Sequence, residues 1–130
     1  MYIAMNRFKI VIGREKDFER IWKERETHLD DVSGFLEFHL VKWGTEETHT
    51  LYASHSTWKS QTDFVNWTKS EAFRQAHKRA GEHSDIYLGH PVFEGFEAIP
   101  LWNKPVKSIQ YNLFRYLQIR LDSARNRGIG

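Results

Sequence analysis

The sequence contains no cysteine among its 130 residues. This absence excludes disulfides, thiolate catalysis, Cys-ligated zinc and iron–sulfur clusters. Any metal that the protein binds must therefore be held by histidine or carboxylate side chains. The chain also lacks a long apolar run at its start, because a polar residue, Asn6, follows after five positions. The sequence therefore predicts neither a signal peptide nor a membrane span, and cytoplasmic residence is the default expectation.

A large excess of charge of one sign is missing as well. The net charge is +2, which is too small to indicate nucleic-acid binding by the chain as a whole. Hydrophobic residues make up 40% and charged residues 28%, as in one ordinary globular domain. Aromatic residues are abundant, at 15% with five Trp. We expect part of them to line a pocket or a subunit interface, with core packing as the alternative.

The first part of the chain predicts a strand followed by a helix. Residues 2–12 are rich in β-branched and aromatic side chains, which favours a strand. Alternate residues from Tyr2 to Ile10 share one face, and this face is apolar except for Asn6. Residues 15–29 then show helical spacing. The stripe of that helix consists of Phe18, Ile21, Trp22, Arg25 and Leu29.

The following segments complete a β-α-β-β-α-β order. Residues 35–43 and 48–58 are strand-like and separated by a hairpin-length connection, so they should pair antiparallel. Ser60 begins a capping box, and residues 60–81 predict two short helices or one kinked helix. Residues 90–99 predict the last strand. This order indicates an α+β, ferredoxin-like domain with a four-stranded antiparallel sheet.

Helices cover only one face of such a sheet, and the other face needs a different cover. A second subunit is the natural one, because two sheets that close on each other also protect their edges. We therefore expect a homodimer in the form of a dimeric α/β barrel.

The end of the chain predicts a separate element. Apolar residues recur every four positions between Ile109 and Leu121, with basic residues between them, which favours an amphipathic helix. We therefore divide the chain into a ferredoxin-like domain, residues 1–100, and a C-terminal helical extension, residues 101–130. The basic face of the extension could touch an anionic membrane surface, but a helix docked on its own domain is the plainer interpretation.

Three residues stand out as candidates for chemistry, each with a structural alternative. His77 lies near the end of its helix on the stripe of Phe73, where a neutral imidazole can bind iron or simply cap the helix. Trp67, on the same helical segment, is a candidate wall residue or a core tryptophan. Asn6 must either bond to the backbone or face a polar ligand, because a buried unpaired amide costs about 1–3 kcal/mol.

Together these residues form a pattern that resembles a known family. Residues 5–7 (Met-Asn-Arg) and 63–78, which include Trp67, Phe73 and His77, resemble the IsdG-like heme-degrading monooxygenases of the antibiotic-biosynthesis-monooxygenase-like superfamily. The resemblance extends over residues 1–99. Residues 88–97 look closest to the HmuQ-type proteobacterial members associated with heme uptake systems. The C-terminal extension departs from the compact family members.

The resemblance implies a function and roles for the three residues. Heme would be both substrate and cofactor, cleaved with O2 and electrons from an external reductase to release iron and a biliverdin-like open tetrapyrrole. His77 is implied as the proximal iron ligand, Asn6 as the distal amide, and Trp67 as the bulky wall that ruffles the porphyrin.

The heme propionates need cationic partners. Arg25, Arg74 and Lys78 are the chosen candidates, ahead of other basic residues near the motifs, and a solvated surface charge is the alternative for each. His39, His49 and His55 lie on two strands that should pair, but their spacing gives little support for a zinc site.

Two rival functions remain open at this level. One is a cofactor-independent monooxygenase that acts on a quinol-like aromatic, because the same barrel hosts that chemistry. The other is a heme-binding or heme-delivery protein that holds the ring through His77 without cleaving it.

Overall fold

The computed structural model describes residues 1–25, 27–79, 81–104 and 120. The chain divides into two compact units, Met1–Ile99 and Pro100–Gly130. In the second unit, all of the helix predicted around residues 109–121 except residue 120 lies outside the described residues. Within the described residues, no helix has the length and apolar character needed to cross a bilayer.

The first unit has the predicted α+β, ferredoxin-like architecture. Its four strands form one antiparallel sheet in the order β2-β3-β1-β4. The elements are β1 (Tyr2–Val11), α1 (Glu15–Glu24), β2 (Phe35–Thr45), β3 (His49–Trp58), α2 (Gln61–Thr68), α3 (Glu71–His77) and β4 (Val92–Glu97), with a 3₁₀ turn at Ser84–Ile86 before β4. The predicted order of strands and helices is confirmed, with the second helix in two parts.

The division between α2 and α3 has a local cause. The Ser60 hydroxyl accepts a hydrogen bond from the Asp63 amide at 3.1 Å and so caps α2. The Ser70 hydroxyl accepts one from the Phe73 amide at 3.2 Å and caps α3. Each serine satisfies an amide that a helix start leaves without a partner inside the helix. The prediction of two short helices is therefore confirmed.

Several predicted boundaries were wrong. The last strand covers Val92–Glu97 and not residues 90–99. Two other differences have a local cause. The helix α1 ends at Glu24 and not at residue 29, because the backbone of Arg25 is extended, with φ −71° and ψ 126°. The strand β2 continues through Gly44 to Thr45 by means of a register shift against β3, so the hairpin connection is shorter than expected. Neither change moves a predicted site residue to the opposite face of the sheet.

The face of the sheet that carries the helices holds two apolar clusters. One contains Tyr2, Ala4, Leu29, Trp58 and Trp67. The other contains Phe8, Ile10, Phe18, Tyr52 and Ile86. On β1 the two clusters lie on either side of Asn6, which is half-buried. The lone amide of this face therefore lies between the two parts of the core.

The opposite face of the sheet is less covered and mixed, with apolar side chains beside charged and polar ones such as Arg7, His39 and His55. Ile3 and Met5 are half-buried on β1, and Phe96, paired with Ile3, is 47% exposed. Val41 on β2 is 41% exposed. This is the face on which the sequence predicts a second subunit, and the dimeric barrel stays a prediction.

Candidate functional site

A cavity of about 820 Å³ opens on the helix side of the sheet. This volume is within the range of about 300–1,000 Å³ that is usual for small-molecule sites. The three residues predicted as catalytic, Asn6, Trp67 and His77, all line this main cavity. They come from β1, α2 and α3, so the fold brings together residues that are far apart in the sequence.

The orientation of the His77 ring is fixed by its own helix. Its Nδ1 atom lies 2.9 Å from the carbonyl oxygen of Phe73. A carbonyl only accepts hydrogen bonds, so Nδ1 carries the hydrogen and Nε2 keeps its lone pair. The imidazole also stacks on the Phe73 ring, with 4.0 Å between centroids and 26° between planes. The cavity wall thus presents an oriented imidazole, as metal-ligating histidines require.

The protonation state of His77 suits the same role. Burial lowers the pKa of His77, the hydrogen bond to the Phe73 carbonyl opposes this change, and the positive charge of Arg25 adds to it. The net direction is downward from the ordinary value of 6.5. The imidazole is therefore mainly neutral at pH 7, and only the neutral form can ligate a metal.

The Asn6 side chain lines the main cavity. Asn6 pairs through the backbone with Ser54 on β3 and Phe93 on β4, and all three line the cavity. Across the described ranges, no hydrogen bond involves its side-chain amide. The sequence left open a hydrogen bond from the Asn6 side chain to the backbone. No such bond is found among the described residues. The amide is therefore free to donate to a ligand or accept from one.

Trp67 is both a core residue and a wall of the main cavity. It is 9% exposed and belongs to the first apolar cluster. Its ring lies 5.2 Å from that of Trp58 and 4.9 Å from that of Phe73, edge-on to the latter. Among the described residues its indole N–H has no hydrogen-bond partner. The packing holds the indole rigidly beside His77, whose ring is 6.1 Å away.

The three basic candidates are placed differently. Arg25 lines the main cavity, with its guanidinium carbon 4.1 Å above the ring of Trp22. Lys78 lines a smaller neighbouring cavity instead. Arg74 lines neither of these two cavities, and its guanidinium is bound to Glu71 of the same helix at 2.6 and 2.9 Å.

The position of Arg74 has a simple geometric reason. Phe73 and His77 are four residues apart and share the cavity side of α3, whereas Arg74 is turned about 100° from Phe73 and about 60° from His77. Its side chain is exposed. The predicted role of Arg74 in cofactor binding therefore has no support from its position.

Several wall residues were missed by the sequence interpretation. Trp22 stacks on Phe38, with 5.5 Å between centroids and 28° between planes, and both line the main cavity. Trp22 lies on the predicted stripe of α1, next to Arg25 in the helical pattern, so a signal was present. Tyr87 comes from the irregular segment before β4, where a bridge to Ile10 places it. No periodicity marks such a residue in the sequence.

The strand histidines lie away from the main cavity. His39 is directly opposite His55 in the β2–β3 register, with ring centroids 6.3 Å apart. They point to the sheet face opposite that of Asn6, because they alternate with residues that line the cavity. In the described part of the chain, no three side chains of His, Asp or Glu converge on one point as a metal site needs.

Comparison with known proteins places the chain in a family. Residues 1–79 match the antibiotic biosynthesis monooxygenase family, and the chain belongs to it. A heme-degrading monooxygenase from Bacillus mycoides is 30% identical over 93 residues, which are 71% of this chain and 85% of that protein. A heme-degrading monooxygenase from Shouchella clausii is 31% identical over 77 residues, 59% of this chain and 67% of that protein.

Solved structures agree in fold. The heme degrader MhuD from Mycobacterium tuberculosis, with two hemes in its active site, has a TM-score of 0.59 and 19% identity. The match covers 79% of this chain and all of MhuD. The family resemblance that the motifs indicated is confirmed, while the finer likeness to HmuQ-type members stays a prediction.

Proposed function

We propose that this protein is a heme-degrading monooxygenase. Heme, as substrate, lies in the main cavity with its iron bound by His77, and the ring is cleaved with O2 and electrons from an external donor. Iron and a biliverdin-like open tetrapyrrole leave. The observation that carries this proposal is the oriented, neutral His77 imidazole in the wall of an aromatic cavity. The names of the two curated relatives support it.

Each wall residue contributes a separate action. His77 would hold the iron through the lone pair of Nε2, and the bound heme would supply the redox chemistry with O2. The Asn6 amide provides a hydrogen-bond donor that needs no reorganisation when charge develops near it. Trp67 is packed between Trp58 and Phe73, so its position is fixed. A porphyrin in contact with it would therefore be distorted on that side.

Addition of hemin to the purified protein tests the proposal. We expect a shifted Soret band that saturates at a defined ratio, followed, after addition of reductant in air, by loss of that band and a product with the mass of an open tetrapyrrole. A Soret band that never shifts would favour the quinol-like monooxygenase instead. A heme complex that survives reductant and O2 unchanged would indicate a binding or delivery protein.

A further inference from the structure

Two serines of β3 line the main cavity from the sheet. Ser54 and Ser56 are each 6% exposed, and both lie on the face of the sheet that carries the helices. A buried hydroxyl group is costly unless it has a hydrogen-bond partner, either in the protein or in a ligand. The two serines differ in whether the protein supplies that partner.

The hydroxyl group of Ser56 is engaged within the protein. It accepts a hydrogen bond from the indole N–H of Trp58 at 2.9 Å and donates one to the carbonyl oxygen of Ala4 at 3.4 Å. These bonds use its one donor and one of its two lone pairs. Its role is therefore structural, because it connects the core tryptophan of β3 to β1.

The hydroxyl group of Ser54 is not engaged in this way. Across the described residues, its oxygen makes no hydrogen bond. In the same part of the chain, only the indole nitrogens of Trp22 and Trp67 are both unpaired and closed off from open space. The Ser54 oxygen is unpaired but not closed off, and the space that Ser54 lines is the main cavity. A ligand in that cavity can therefore bind it.

Ser54 lies directly opposite Asn6. The two residues are partners in the antiparallel register of β1 and β3, and the side chains of such partners leave the same face of the sheet about 5 Å apart. The side-chain amide of Asn6 also makes no hydrogen bond among the described residues. Because the two groups do not bond to each other, one small atom between them can accept a hydrogen bond from each. We call these two side chains the polar pair.

The polar pair and the proposed iron ligand enter the cavity from different layers of the fold. His77 lies on α3, whereas Asn6 and Ser54 lie on the sheet. The neighbours of Asn6 on the same face of β1 are Ala4 and Phe8, which are apolar and line the cavity as well. Hydrogen-bond donors in apolar surroundings interact strongly with an acceptor, especially with one that carries negative charge.

We propose that the Ser54 hydroxyl is a second hydrogen-bond donor of the active site and acts with Asn6 on the same small ligand. This inference rests on the proposed function, in which His77 holds heme and O2 is the small co-substrate. The ligand class that fits the polar pair is a small molecule or anion whose exposed atom accepts hydrogen bonds. O2, on which negative charge develops as it is reduced, is such a ligand during turnover.

Fluoride tests the proposal without turnover, because it binds ferric heme, accepts hydrogen bonds and donates none. Sodium fluoride is added to the ferric hemin complex, and its affinity is read from the visible spectrum. Ser54→Ala should keep the Soret band of the wild-type complex but bind fluoride about tenfold more weakly, the loss expected for one hydrogen bond to an anion. Ring cleavage should slow in the same variant.

Ser56→Ala is the matched control. It removes a hydroxyl group from the same strand and the same face, but one that Trp58 and Ala4 already occupy. It should lower stability in urea and leave the affinity for fluoride unchanged. Ser54→Thr and Ser54→Val give a second comparison, since threonine and valine have nearly the same shape and differ in the hydroxyl group. The threonine variant should bind fluoride more tightly than the valine variant.

The outcomes separate this inference from the proposed function. Wild-type affinity for fluoride in Ser54→Ala, with hemin still bound, overturns the role of Ser54 and leaves the proposed function standing. An equal loss in Ser56→Ala, or equal affinities in Ser54→Thr and Ser54→Val, would mean that the shape of the wall matters and the hydroxyl does not, and would also overturn it. A wild-type protein that binds no hemin overturns the proposed function itself.

Discussion

The Nδ1 atom of His77 lies 2.9 Å from the carbonyl oxygen of Phe73, and the two rings of the same residues stack at 4.0 Å. Phe73 therefore acts on His77 twice. Its carbonyl fixes which nitrogen carries the hydrogen, and its ring fixes the plane of the imidazole. Because both residues lie on one helix of seven residues, the iron-binding group that we propose depends on very local structure.

Replacement of His77 by Ala should abolish axial ligation and turnover but leave the fold intact. The side chain is half-buried and its packing is limited to the rings of Phe73 and Trp67, so the loss of packing is small and local. Ferric heme spectra of the variant should lack the histidine-ligated form. Circular dichroism should be unchanged from that of the wild type.

His90→Ala is the matched control for this prediction. His90 is a second imidazole in the wall of the main cavity, it is exposed, and it lies on the segment before β4. The variant should keep the spectrum of the wild-type complex. If His77→Ala leaves the spectrum unchanged, or if His90→Ala removes the ligated form, the assignment of His77 is wrong.

Trp67 calls for a conservative variant, because the structure places it in the core as well as in the cavity wall. Trp67→Ala should destabilise the fold by about 3–5 kcal/mol, as for other buried aromatic residues. Trp67→Phe keeps most of the packing. We expect heme affinity within about tenfold of the wild type but slower ring cleavage and a less ruffled porphyrin, read by resonance Raman spectroscopy.

Trp58→Phe separates the two roles of a tryptophan in this region. Trp58 is fully buried against Trp67 but does not line the main cavity. The Phe ring still packs on Trp67, so this replacement should lower stability but change the porphyrin shape less than Trp67→Phe does. A fully ruffled heme and a normal cleavage rate in Trp67→Phe would show that Trp67 is only a core residue.

Local patterns explain which parts of the fold could be predicted. The alternation around Asn6 and the two serine caps at Ser60 and Ser70 act over a few residues, so the sequence shows them directly. The end of α1 at Glu24 could not be read in this way, because the apolar stripe continues to Leu29 after the helix has stopped. Leu29 is buried all the same, from a non-helical segment.

The same distinction holds for the site. The three candidate catalytic residues carried a family pattern, whereas the smaller cavity that Lys78 lines depends on how α1, α3 and the segment containing Tyr87 meet. Arg74 and Lys78 lie four residues apart on or next to one helix, yet of the two only Lys78 lines one of the two cavities described above. Spacing alone could not separate them, because the difference depends on what packs against each side chain.

Stability should depend on pH through Glu15, which connects α1 to the sheet. Its Oε1 accepts a hydrogen bond from the Thr50 hydroxyl at 2.8 Å, and its Oε2 accepts one from the Gly13 amide at 2.9 Å. Hydrogen bonds from its own backbone amide and from Thr50 hold the pKa of Glu15 below the ordinary 4.5. The charged form is therefore favoured in the folded state.

The direction of the effect follows from linkage. A carboxyl group with a lowered folded pKa stabilises the fold fully above its unfolded pKa, and this contribution is lost as pH falls through the folded pKa. Urea unfolding should thus show Glu15→Gln less stable than the wild type at pH 7, with the difference shrinking below pH 4.5. Thr50→Val should reduce the same pH dependence. A constant difference at all pH values would contradict the role of this carboxylate.

The open face of the sheet should hold a second copy of the chain. On this face, the apolar side chains of Val41 and Phe96 are partly exposed in the single chain. Light scattering at micromolar concentration should give the mass of a dimer. Phe96→Glu should shift the protein towards the monomer, whereas Lys16→Glu, exposed on the helix α1, should not. A wild-type monomer under these conditions would contradict the dimeric barrel.

Asn6 allows the sharpest separation of function from stability. Among the described residues its side chain makes no hydrogen bond, so Asn6→Ala removes no protein contact of that kind. The free energy of unfolding should therefore change by less than about 1 kcal/mol, as it should in Asn66→Ala, an exposed asparagine on α2. If Asn6 served a backbone bond instead, its loss would cost about 1–3 kcal/mol.

Turnover should respond differently from stability. Without the amide donor, ring cleavage should slow by about 10²–10³-fold, the size of effect seen when one preorganised donor is removed from an active site. Ferric heme should still bind through His77 with an unchanged Soret band, because the iron ligand lies on a different element. Asn6→Asp keeps the size of the side chain but replaces the donor by a charged acceptor, so it should fail as Asn6→Ala does. Normal turnover in either variant, or a large loss of stability in Asn6→Ala, would mean that this amide does not act on the substrate.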